Sequence, residues 1–199
     1  MIAGANFKIA ALDCNNIWDR IKLCWGHLEN WRELKIVKSS KEWLERSNVV
    51  FKPTTFIAYI DDMPVGMIEF LPQRLLKQLR LCPCRLDVEH GETEYRYDLG
   101  KGFENYLFIS CLSVSKDYQG KGVGKALLDY FLSSNVFLQS DGAVVYVTER
   151  SQNWESYIHW PAGPKEFYIK AGFVVEKTLN EPSGCLLSYA SPERAKRAK

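Results

Sequence analysis

Leu112-Ser113-Val114-Ser115-Lys116-Asp117-Tyr118-Gln119-Gly120-Lys121-Gly122-Val123-Gly124-Lys125-Ala126-Leu127-Leu128 carries the weight of the reading. It is the end of an apolar run, a glycine-rich turn and the start of an amphipathic pattern. Tyr106 to Val114 is apolar on both faces, which suits a central strand covered on each side. From Val123 onward Ala126, Leu127, Tyr130 and Phe131 recur at i+3, i+4, i+7 and i+8, the spacing of one helical face. A strand that feeds a glycine turn and then a helix is an anion site, because first-turn N–H groups lack intrahelical partners and point outward. Glycines let the backbone approach a ligand closely and adopt positive φ. Lys121 and Lys125 add positive charge, so the expected ligand is a phosphate or pyrophosphate.

Two familiar phosphate loops do not fit. In a P-loop the first glycine would fall at Gln119, and Ala126 stands where the magnesium-binding hydroxyl belongs. A dinucleotide loop needs G-x-G-x-x-G near the start of a βαβ run, whereas Gly120, Gly122 and Gly124 follow G-x-G-x-G past the middle of the chain.

Outward from the loop, the pattern alternates between the two regular periods. Phe7 to Leu12 predicts a first strand, and Asp13 is expected to cap a helix through Ile17, Ile21 and Trp25 that ends at Gly26. A second amphipathic helix is expected to start at Ser39 or Ser40, with Trp43 and Leu44 on its apolar side. Thr54 to Ile60 and Val65 to Leu71 form a hairpin around Asp61-Asp62-Met63-Pro64. Residues 72–105 are an insertion, basic in its first half and acidic in its second (Asp87, Glu89, Glu92, Glu94, Asp98), with a short helix expected near Gln73 to Leu79. Ala143 to Val147 is another buried strand. Pro164 to Ala171 is a short helix closed by Gly172, and Phe173 to Leu179 and Cys185 to Tyr189 make a last hairpin.

The loop, with Gln119, Gly122 and Gly124 in a Gln-x-x-Gly-x-Gly pattern after a Leu-x-Val strand end, resembles the acetyl-CoA signature of the GNAT acetyltransferase superfamily. The order of elements and the segment Phe167-Tyr168-Ile169-Lys170-Ala171-Gly172-Phe173 are similar to that superfamily as well. The resemblance spans nearly the whole chain except Pro72 to Asn105. It implies an α/β fold with a central mixed, largely antiparallel sheet flanked by helices, formed by residues 1–199 as one domain. It also implies acetyl-CoA as co-substrate. Pantetheine would pair like an added strand with the backbone of Leu112, Ser113 and Val114, and the pyrophosphate would lie on the N–H groups of Gln119, Gly120, Lys121, Gly122, Val123, Gly124 and Lys125. Tyr168 stands where the family places a tyrosine that protonates the departing thiolate. Many relatives carry an asparagine where this chain has Pro161, so the resemblance does not carry that residue's cofactor contact over.

Acetyl transfer to an amine also needs a group that takes the amine's proton, a carboxylate or histidine within hydrogen-bond reach directly or through water. Glu69 is the first candidate, on a strand that borders the acyl site in the family. Glu149 and His159 follow. No motif marks any of the three. A non-catalytic acyl-CoA sensor on the same fold is the competing function.

Composition agrees with a packed globular chain. Of 199 residues, 46% are hydrophobic and 25% charged, which excludes a disordered or fibrous polymer. The net charge of +2 hides an asymmetry. The basic tail at 192–199 holds four positive charges and one negative, so the rest of the chain stands near −1 and offers no nucleic-acid-binding face. No apolar run reaches the ~20 residues of a membrane span, and Met1 to Lys8 does not read as a secretory signal, so a cytoplasmic protein is expected. Of the six cysteines, Cys82 and Cys84 form one close pair without a second, so no metal site is expected. The expected partner is a small-molecule or peptide amine, and a homodimer is left open.

Overall fold

The computed structural model describes residues 6–26, 29–79, 99, 102–148, 163–179 and 184–192. Seven strands form one sheet: β1 (Phe7–Ala11), β2 (Thr55–Ile60), β3 (Met63–Pro72), β4 (Tyr106–Val114), β5 (Gly142–Thr148), β6 (Val174–Leu179) and β7 (Gly184–Ala190). Their order in space is β1-β2-β3-β4-β5-β7-β6. Every neighbouring pair is antiparallel except β4 and β5, which run parallel. The helices are α1 (Ile17–Trp25), α2 (Lys35–Val50), α3 (Gln73–Leu79), α4 (Val123–Ser133), α5 (Asn135–Leu138) and α6 (Lys165–Lys170).

The sheet is covered on both faces, which explains why its central strands carry no polar side. On one face Ile17, Ile21, Val37, Trp43 and Leu44 from α1 and α2 pack over Ile57, Tyr59, Leu71, Phe108 and Val144. On the other, Val123, Leu127, Leu128 and Phe131 of α4 and Tyr168 of α6 cover Phe56, Ile68, Phe70, Leu107, Ile109 and Val145. Gly66 permits close packing at the open end of β3, since a Cβ there would lie 3.0 Å from the Ser113 carbonyl and 3.2 Å from methyls of Val123 and Leu127.

Three local expectations are corrected. Asp13 does not cap α1. Its carboxylate accepts from the Asn15 N–H in a turn, while Asn16 occupies the cap position. The second helix begins at Lys35, not Ser39 or Ser40; Ser40 lies buried inside it and donates to the Ile36 carbonyl, a bond that lets a serine sit in a helix interior. On α4 the buried face runs through Leu128, and Tyr130 is 42% exposed, edge-on to Phe56. The hairpin turn is two residues long, with Asp61 at φ 49° and Asp62 at φ 63°, the mirror-image geometry that matches strand twist. The helix expected at Gln73–Leu79 is present as α3; the rest of the insertion, apart from Leu99 and residues 102–105, lies outside the described residues.

Candidate active site

The site begins where two parallel strands part. β4 and β5 pair from Tyr106 opposite Gly142 to Ile109 opposite Val145 and, among the described residues, no further. β4 continues to Val114 along β3, and β5 continues to Thr148 along β7. Beyond Ile109, β4 runs on through Ser110 to Val114, roughly 16 Å at the usual rise per residue, with no β5 rung beside it among the described residues. Leu112, Ser113 and Val114 are half-buried there, in contrast to the buried first six residues of the strand.

The cause of the parting is visible in the register. Glu69 faces Cys111 and Phe70 faces Ile109, so Ser110 is an extra residue on β4, a bulge placed one residue beyond the last β4–β5 pair. Bulges bend their strand and increase its twist, which turns β4 away from β5.

The glycine loop stands at the end of this stretch of β4. Lys116–Tyr118 form one tight turn, and Gln119 donates from Nε2 to the Val114 carbonyl at 3.0 Å. Gly120 (φ 72°) and Gly122 (φ 87°) take left-handed conformations, and a Cβ at either would meet nothing within 4 Å. These glycines serve backbone conformation and leave an open cradle. The α4 ladder starts with the Ala126 N–H to the Gly122 carbonyl at 3.0 Å, so the N–H groups of Val123, Gly124 and Lys125 precede it. Gly122 caps the helix without a side chain, which keeps those donors uncovered. Lys125 pairs with Asp129 one turn on at 2.5 Å, and Lys121 lies over the Tyr118 ring at 5.4 Å. Uncovered N–H groups at a helix start are the part of this loop suited to an anion.

Tyr168 is fully buried on the α4 face, edge-on to Phe167 and Phe173 with ring centroids 5.2 Å away in each case. Burial, reinforced by the neighbouring Cys111 thiol, pushes its phenol well above the ordinary value. Cys111 is the β4 residue immediately after the bulge, so Tyr168 sits beside the point where β4 has left β5. Phe167 reaches the α4 N-terminus, 3.9 Å from where a Gly124 Cβ would be.

Glu69 is placed on the opposite face. Its side chain is fully buried and both oxygens are engaged: Oε2 accepts from Arg20 Nε at 3.1 Å and from Arg20 Nη2, and Oε1 accepts from Ser110 Oγ at 2.9 Å. The expected proton acceptor is thus a sealed member of an ion pair. Removing either member would strand a buried charge, at a cost of about 3–5 kcal/mol. Sequence reading passed over Arg20 and Ser110, yet the signal was present. Ile17, Arg20, Ile21 and Cys24 share the spacing of one inward face, and Glu69 interrupts a strand apolar on both sides. An arginine and a glutamate each set in apolar stripes call for one another. Glu149 and His159, like Cys82 and Cys84, lie outside the described residues. Among the described residues no cluster of histidine, cysteine and carboxylate groups could hold a metal ion.

The parted strands, the bulge and the uncapped glycine-rich helix start are the architecture of an acyl-CoA-dependent N-acyltransferase fold. The chain belongs to the GNAT acetyltransferase family, whose domain model matches residues 52–175. No curated protein matches it. Among solved structures it is similar to yncA from Salmonella typhimurium with its cofactor acetyl-CoA (15% identity, 95% of this chain and 96% of that one, TM-score 0.60). It is similar also to the loading GNATL domain of CurA from Lyngbya majuscula (19%, 95% and 100%, TM-score 0.57). A third is Naa50 from Arabidopsis thaliana in complex with the bisubstrate analogue CoA-Ac-MVNAL (18%, 92% and 98%, TM-score 0.51).

Proposed function

We propose that the protein moves the acetyl group of acetyl-CoA onto an amine by direct transfer. One observation carries the reading: the stretch of β4 that β5 leaves, among the described residues, leads into the uncapped N-terminus of α4, with a buried phenol beside it. A pantetheine arm is amide-rich and matches a strand edge that its neighbour has left; a pyrophosphate matches the three N–H groups that precede the α4 ladder, in a cradle that, among the described residues, stays open at Gly120 and Gly122. Acetyl-CoA supplies the activated thioester. Leu112 and Val114 hold the arm in register, and Val123 to Lys125 anchor the phosphates. The amine nitrogen forms a bond to the acetyl carbon as the carbon–sulfur bond breaks, and the sulfur leaves toward Tyr168, whose phenol donates to it.

With Glu69 committed to Arg20 and Ser110, the acceptor's proton falls to Glu149 or His159. The same sealed carboxylate is what favours the second reading, an acyl-CoA sensor that holds the ligand without passing on its acetyl group. Naa50, whose solved complex contains a peptide-based bisubstrate analogue, supports peptide N-termini as a first acceptor class to try beside small amines. The deciding experiment has two parts. Coenzyme A binding is measured by calorimetry, and thiol release from acetyl-CoA is followed across a panel of small amines and short peptides. Acceptor-dependent release establishes the transferase. Binding with only slow hydrolysis throughout the panel establishes the sensor, and absence of binding overturns both. In an active protein, Glu149→Gln and His159→Ala identify the base by which one removes the acidic limb of the pH–rate profile.

A further inference from the structure

The parted strands need something to keep them parted. A bulge is a local distortion that a sheet can lose by slipping one residue, and a slip at Ser110 would turn the side chains beyond it to the opposite faces. Here the bulge is tied down from one side. Ser110 is 5% exposed, and its hydroxyl reaches Glu69 Oε1 at 2.9 Å, with the Glu69 main-chain carbonyl next nearest at 3.3 Å. Glu69 in turn is held by Arg20 of α1 through Nε and Nη2, and Arg20 Nη1 lies 3.6 Å from Cys24 Sγ one turn along. Arg20 and Glu69 are both completely buried. The charges are thus sealed beneath the one residue at which β4 leaves β5.

We infer that Arg20, Glu69 and Ser110 form a clamp that fixes the β4 bulge and thereby sets the width of the gap that receives the cofactor arm; Glu69 is a positioning residue. The inference deepens the acyl-CoA reading and rests on it for the identity of the ligand. The electrostatic argument favours a clamp over a reservoir for protons. A carboxylate that accepts from a guanidinium on one oxygen and a hydroxyl on the other has its lone pairs committed in the directions of α1 and β4. In a dry interior such a pair is directional, so it specifies one register where apolar side chains would tolerate several. Thr55, directly opposite Glu69 in the β2–β3 register, is buried with its Oγ1 unpartnered, so the clamp's neighbourhood holds no competing bond from that side.

The test uses Ser110→Ala, which removes one hydroxyl, and Glu69→Gln, which keeps shape and one acceptor oxygen while removing charge. Hydrogen exchange on the unliganded protein comes first, because it does not depend on the ligand's identity. Amides of residues 110–114 should exchange faster in Ser110→Ala while those of β2 and β7 keep the parent's rates. Calorimetry should then show coenzyme A binding weakened on the order of tenfold, the equivalent of one lost hydrogen bond. In Glu69→Gln the acetyl-CoA KM should rise more than kcat falls, with the acidic limb of the pH–rate profile retained. Parent-like exchange at 110–114 together with parent-like affinity in Ser110→Ala would overturn the clamp. So would a Glu69→Gln protein that binds coenzyme A normally yet loses the acidic limb, since Glu69 would then be the base. Should Glu69→Gln fail to fold, Ser110→Ala decides alone. If the parent itself does not bind coenzyme A while exchange at 110–114 still responds, the clamp stands and the acyl-CoA reading falls.

Discussion

Tyr168 is a phenol enclosed by Phe167, Phe173 and the Cys111 thiol, and that enclosure has two measurable effects. Its folded-state pKa lies above the ordinary 10.0, so the neutral form stabilises the fold fully below pH 10, and this contribution is lost as pH climbs toward the folded value. Stability measured by urea unfolding should therefore fall with alkaline pH, and fall less steeply in Tyr168→Phe. A remaining slope is expected from Tyr59, raised in the same direction by burial and by its bond to Asp19. Identical slopes for parent and variant would contradict the buried phenol. In catalysis Tyr168→Phe should lower kcat by about 10²-fold and leave the acetyl-CoA KM nearly unchanged, because the ring still packs but no longer donates. At this scale the sequence was half legible. Tyr168 stood inside a recognisable segment, whereas the Arg20–Glu69 pair joins residues 49 apart that only folding brings together.

Elements respond to substitution at their points of closest approach. Gly122 is the cap of α4 and sits at φ 87° with open space beyond it. Gly122→Glu should strain that backbone and place a negative charge over the phosphate cradle. In the parent, coenzyme A at 100 times its Kd should add about 2.7 kcal/mol to stability; the variant should show no rise in Tm under the same conditions. Gly66→Val probes the other side of α4. Its side chain would press on the Ser113 carbonyl and on Val123 and Leu127, with an expected loss of about 1–3 kcal/mol and weakened coenzyme A binding as α4 shifts from the gap. An unaltered Tm and Kd would mean that α4 gives way freely at this contact. Helix and strand periods were readable because burial on two faces imposes them. Helix starts were not, since Asp13 and Ser40 have capping chemistry but use it in a turn and within the helix, and Ser39 also lies inside α2.

For the molecule as a whole, charge and seam matter most. The acidic half of the insertion follows the strand that carries Glu69 and precedes the strand that forms the gap, so its sequence position favours influence on a cationic amine. Reversing Asp87, Glu89, Glu92 and Glu94 should raise the acceptor KM more than the acetyl-CoA KM, most clearly at low ionic strength, because such attraction is screened over about 10 Å at ~0.1 M salt. Equal KM values for variant and parent at low salt would assign the loop to solvent alone. The fold class was legible from order and period together, but the parting of β4 from β5 depends on a register slip of one residue, and composition carries no trace of that. The four rungs from Tyr106–Gly142 to Ile109–Val145 also have a mechanical meaning. They are the sole main-chain ladder, among the described residues, between an antiparallel meander of β1 to β4 and an antiparallel trio of β5, β7 and β6. Within each half the strands pair antiparallel with one another, so a chain cut between Ser140 and Asp141 should yield two fragments that reassociate in solution through those rungs, and a ligand that bridges the gap beyond them should act as the staple that holds them.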